Sequence, residues 1–200
     1  MEQARAVLDF WFGAGVRSPA VLDERLRFWF GNAADAPIRE RFADLVRRAG
    51  AGELDAWADS PRRRLALILL CDQFPRNLYR GTALAFAQDA KALGLALSGM
   101  QVGADAALDP AERLFFYMPL QHAESRDAQD ESVAAFRRLA TEAPESLRDG
   151  FQAVLRYAEL HRSLIERFGR FPHRNRVLGR ETTPEELAYL RGGETFGQST

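Results

Sequence analysis

Cysteine, lysine and histidine are almost missing from these 200 residues. Cys71 is the single cysteine, so no disulfide can form within the chain. It sits inside the apolar run Leu65–Cys71, where a thiol reads as an inert core group. Lys91 is the single lysine, and every other member of the 27 lysine-plus-arginine residues is arginine. That bias favours bidentate grip on carboxylates and phosphates, which an ammonium cannot supply. Only three histidines are present, none spaced i,i+4, so metal chelation from one helix face is excluded and no metal or cofactor is expected. The formal net charge of −1 gives no overall pull toward nucleic acid or anionic lipid. The short clusters Arg47-Arg48 and Arg62-Arg63-Arg64 read as solvated faces, so no nucleic-acid partner is expected. No apolar run approaches the ~18 residues of a membrane span, and the first residues lack the basic and apolar regions of a signal peptide. A soluble cytoplasmic protein is expected. Nucleotide-binding and serine-hydrolase fingerprints are missing too.

What is present is helical spacing almost throughout. Val7, Leu8, Trp11 and Phe12 share a face, as do Leu22, Leu26, Trp29 and Phe30, and then Ile38, Phe42, Leu45 and Val46. Ser60-Pro61 predicts a helix start, with a cap residue before a proline. Leu65–Cys71 is apolar all round and should be buried on every side; a buried strand is the rival for so short a run, but the proline-led start and the leucines favour helix. Pro75 should end it. A further helix is predicted from Thr82 with the stripe Phe86, Ala90, Leu93, Leu97, and Pro119 should kink or end the one begun by the capping box Asp109-Pro110-Ala111-Glu112. The longest helix is predicted over 146–168 with a seam through Leu147, Phe151, Val154, Ala158, His161 and Ile165. Thr183-Pro184-Glu185-Glu186 opens a last short helix. No alternating strand pattern appears. The expectation is one all-α domain over 1–200, a compact array of antiparallel helices.

Three segments put polar heads where the core pattern calls for apolar ones. Asp72 continues the buried run and needs a cation there, with Arg76 nearest and Asn77 serving the turn. His122 follows the Pro119 break, where freed carbonyls need donors; an imidazole serves that structural role as well as a functional one. His161 takes a seam position, ahead of a turn bearing Arg170, His173, Arg174 and Asn175. Two of these segments echo each other as Phe74-Pro75-Arg76-Asn77 and Phe171-Pro172-His173-Arg174-Asn175.

The stretches CDQFPRNLYRGTALAFAQD, ERLFFYMPLQHAES and RFGRFPHRNRVLGRETTPEE resemble the bacterial family known as domain of unknown function 924. The likeness covers nearly the whole chain. It implies an all-α fold similar to tetratricopeptide arrays and brings no activity with it. The family pattern implied here has a glutamate and a serine flanking the histidine, where this chain has Gln121 and Ala123. Two function classes remain. In one, Arg76, Asn77, Arg170, Arg174 and Asn175, with His122 and His161, bind an anionic small molecule or a peptide carboxylate, favoured by an excess of arginine over visible acids in residues 170–180. In the other, His161, His173 or His122 is the general base of a small-molecule hydrolase, with Asp72 orienting it.

Overall fold

The computed structural model describes residues 2–194. Those residues form α-helices and short tight helical turns with no strand among them, so the protein is all-α. The helices are α1 Glu2–Phe12, α2 Pro19–Phe30, α3 Asp35–Gly50, α4 Pro61–Cys71, α5 Gln73–Leu78, α6 Asp89–Gln101, α7 Pro110–His122, α8 Arg126–Glu142, α9 Arg148–Phe168 and α10 Pro184–Leu190. Residue 1 and residues 195–200 of the expected domain lie outside the described part. No described helix is long and apolar enough to cross a membrane.

The ends of these helices follow from the sequence. Asp109 with Glu112, and Thr183 with Glu186, form the two reciprocal capping boxes, each followed by proline in the first turn. Ser18 and Ser125 cap α2 and α8. Ser60 precedes Pro61 as expected, but its hydroxyl makes no capping bond.

Helix α4 is the centre of the core. Every residue from Leu65 to Cys71 is fully buried, and α1, α3, α5, α6 and α7 pack around it. Burial pushes the Cys71 thiol up to about 12, which keeps it protonated and inert. Trp11, Phe74 and Phe115 lock α1, α5 and α7 together, with ring centres 5.4 Å apart in the Trp11–Phe74 and Trp11–Phe115 pairs. Helices α7, α8 and α9 pack in chain order through short connections, which makes neighbours antiparallel.

Three expectations need correction. Pro75 does not end a helix: α4 stops at Cys71, and Pro75 lies in the first turn of α5, where a missing N–H costs nothing. Of the kink or end expected at Pro119, the end is what needs correcting: α7 continues past it to His122. No α-helix begins at Thr82. A tight turn spans Ala83–Phe86, α6 starts at Asp89, and its buried face is Ala92, Ala96 and Gly99, with Leu97 outside. Small residues win that face because α6 lies close against α7: a Cβ on Gly99 would meet the Phe116 ring at 2.5 Å.

Candidate functional site

The three polar segments meet. The junction of α4 and α5 carries Asp72, Gln73, Arg76 and Asn77; the end of α7 carries Gln121 and His122; α9 carries His161; and the tight turn Pro172–Arg174 carries His173 and Arg174. All of these except Asp72 line one cleft of about 470 Å³, and Asp72 lies just behind it. The rings of His122 and His161 are 6.3 Å apart. Much of the remaining lining is apolar, with Leu26, Trp29, Phe30, Phe86, Met118 and Val154, and Arg80 and Glu194 also reach it. Phe30 and Tyr157 are about half exposed and line the same cleft.

Asp72 is fully buried, and three groups hold it. Its Oδ1 is ion-paired with Arg76 Nη1 at 3.1 Å and accepts from His122 Nδ1 at 2.7 Å, while its Oδ2 accepts from Gln73 Nε2 at 2.5 Å. Burial pushes this carboxyl up, but Arg76, His122 and Gln73 outweigh burial and hold it below the usual carboxylate range. An ionised carboxylate only accepts, so His122 carries its proton on Nδ1 and presents a basic Nε2. Burial, reinforced by Arg76 and opposed by Asp72, lowers the His122 pKa and favours the neutral ring. His161 is fixed likewise, donating from Nδ1 to the Tyr157 carbonyl at 2.7 Å, and burial holds it well below the usual histidine range. Burial, followed by Arg174, His122, Arg180 and Arg76, pushes His173 down to about 3.

The arginines are better matched by acids than the sequence suggested. Arg76 is bidentate to Asp89 at 2.9 and 3.0 Å. Arg170 is bidentate to Glu186, and Arg180 to Glu124. The acids were within the quoted motifs, but their pairing spans 13 to 85 residues and follows no local spacing. Arg170 and Asn175 do not line the cleft. Asn175 is fully buried and ties Arg180 to Glu186, and Asn77 gives its amide N–H to Asp35 at 2.8 Å. His122 is not the donor to the carbonyls freed at the end of α7. Gln129 Nε2 serves Gln121 O at 2.7 Å and Ala123 O at 2.8 Å, and Arg174 Nη2 serves His122 O at 3.0 Å.

Arg174 is the exception among these cations. Its guanidinium is clamped between the Phe86 and Phe171 rings, 4.6 Å from each centroid. It donates to Asp89 Oδ2 at 3.2 Å and to His122 O, but its buried Nε has no hydrogen-bond partner among the described residues. Burial, opposed by Asp89 and reinforced by Arg76, brings Arg174 down to about 10. A second orphan is the buried Oε1 of Gln121, also without a partner among the described residues. Gln73 and Gln121 were not foreseen as cleft-lining groups, since an isolated glutamine gives no periodic signal. Among the described residues, no group of three or more His, Cys, Asp or Glu side chains is placed to hold a metal ion.

The family model described as "Bacterial protein of unknown function (DUF924)" matches residues 7–194. The chain belongs to that family. A solved structure, described as that of a protein of unknown function, ATU0120, from Agrobacterium tumefaciens, is 40% identical to it with a TM-score of 0.80. The match covers 96% of this chain and 98% of that one. No curated protein matches.

Proposed function

We propose that the cleft binds a small amphipathic acid, with its apolar body against Leu26, Trp29, Phe30 and Val154 and its carboxylate or phosphate at Arg174. The observation that carries this reading is the buried, incompletely bonded Arg174 guanidinium. A buried cation is costly unless a counter-charge and hydrogen bonds meet it; Asp89 already supplies a counter-charge, and an anion at Nε adds the missing hydrogen bond. Mostly apolar walls with a few fixed polar groups are the usual make-up of a small-molecule pocket. Thermal shift with phenylbutyrate and its uncharged amide tests the reading. The acid raises the melting temperature, the amide does not, and Arg174→Gln removes the difference. Equal shifts from acid and amide would refute it.

The Asp72–His122 contact favours a second reading, in which the bound molecule is hydrolysed. A neutral His122 with its proton held on Nδ1 by Asp72 has the tautomer of a general base, able to take a proton from water through Nε2. Turnover lost in His122→Gln with ligand binding retained is the outcome that supports it.

A further inference from the structure

Gln121 tells more about the ligand than the arginine does. Its side chain is almost wholly buried, it lines the cleft, and its Oε1 accepts from no described residue. A buried unpaired acceptor costs free energy that a donor on the ligand recovers. The second orphan, Arg174 Nε, belongs to a side chain that hydrogen bonds the carbonyl of His122, the residue next to Gln121. The unused donor and the unused acceptor therefore flank the same end of α7.

From this pair, and resting on the acid-binding reading above, we infer that the ligand class is an N-acylated α-amino acid with an apolar side chain. Such a molecule carries its carboxylate and its amide N–H on one carbon, so both reach a single helix end: the carboxylate goes to Arg174 and the N–H to Gln121 Oε1. The apolar side chain and the acyl group lie along the wall of Trp29, Phe30 and Val154. A free amino acid fits worse. Its ammonium would need a counter-charge of its own where Asp72 and Asp89 are already engaged by Arg76 and Arg174, and acylation removes that charge while keeping the N–H.

Titration calorimetry on the full chain separates the parts of this inference. The probes are N-acetyl-phenylalanine, its C-terminal amide, and acetyl-phenyllactate, whose ester oxygen replaces the N–H without changing shape. The expected result is that the N–H compound binds at least about tenfold more tightly than the ester, as for a site built around one hydrogen bond, and that Gln121→Met brings the two within about twofold. The wild-type comparison stands even if that variant folds poorly. Equal binding of N–H compound and ester overturns the inference, while the acid-binding reading survives if the C-terminal amide still fails. Binding of the C-terminal amide as tightly as of the acid overturns the acid-binding reading itself. A longer peptide ending in the same phenylalanine carboxylate that binds equally well assigns the site to peptide C-termini; one that binds poorly assigns it to the free small molecule.

Discussion

At the level of single residues, the site is a set of charges and imidazoles taken out of water and held by one another. Asp72 shows the cost most plainly. Replacing it with alanine leaves Arg76 to Asp89 alone and strips His122 of its fixed partner. The expected loss is about 3 kcal/mol, the low end for breaking a buried ion pair because Asp89 remains. Urea unfolding of Asp72→Ala measures it, and a loss below ~1 kcal/mol would contradict the buried pairing. The histidines make a separate pH prediction. In the unfolded chain an imidazole protonates near 6.5, whereas folded His173 stays neutral down to about 3 and His161 is held well below the usual range. The unfolded state thus binds more protons in that window, and stability falls as the pH drops below 6.5. The slope is about 1.4 kcal/mol per pH unit for each fully protonating histidine. Asp72 adds to the loss only further down. Its folded pKa lies below the ordinary aspartate value, so its contribution is present above that value and disappears as the pH falls through the folded one. Urea midpoints at pH 7.5 and pH 5 test the histidine part, and His173→Gln should make the dependence shallower. A midpoint unchanged between the two would mean that the imidazoles are solvated.

Helices were legible where local chemistry decides them and illegible where packing does. The capping boxes at Asp109 and Thr183 could be read because cap and third residue are neighbours in sequence. The seam of α9 could be read because His161 falls on the same face as Phe151, Val154 and Ala158. The face of α6 could not, since it is chosen by the approach of α7 and not by hydrophobicity. Gly94 and Gly99 of that helix make opposite predictions. A Cβ on Gly94 meets nothing within 4 Å, so Gly94→Ala should stabilise by about 0.5–1 kcal/mol through helix propensity and unfolded-chain entropy. A Cβ on Gly99 collides with Phe116 at 2.5 Å and with Arg64 Cδ at 2.7 Å, and Phe116 is fully buried with nowhere to go. Gly99→Ala should therefore destabilise by about 1–2 kcal/mol despite the same gain in propensity. Thermal unfolding of both variants checks the pair. Stabilisation by both would mean that α6 does not sit closely on α7.

Across the whole molecule, the convergence of the three polar segments was legible from a single regularity: each stands at a helix end or a proline and carries polar heads beside large apolar anchors. The partners within the site were not. Arg174 meets Asp89 across 85 residues, and Asp72 meets His122 across 50. Such distances are set by how α5 and α7 pack on α4 and by where the chain after α9 places the Pro172–Arg174 turn. The expectation of surplus arginine failed for the same reason, because Glu124 and Glu186 reach the turn from α7's far side and from α10. What survives of it is Arg174, and the account turns on that side chain. The direct measurement is a nitrogen–proton correlation spectrum of labelled protein that follows the arginine Nε–H signals, with the Arg174 signal assigned by its loss in Arg174→Gln. The account predicts that this signal shifts and saturates on titration with phenylbutyrate and stays still with the uncharged amide. An Arg174 signal that never moves, while the acid binds elsewhere or not at all, would contradict it.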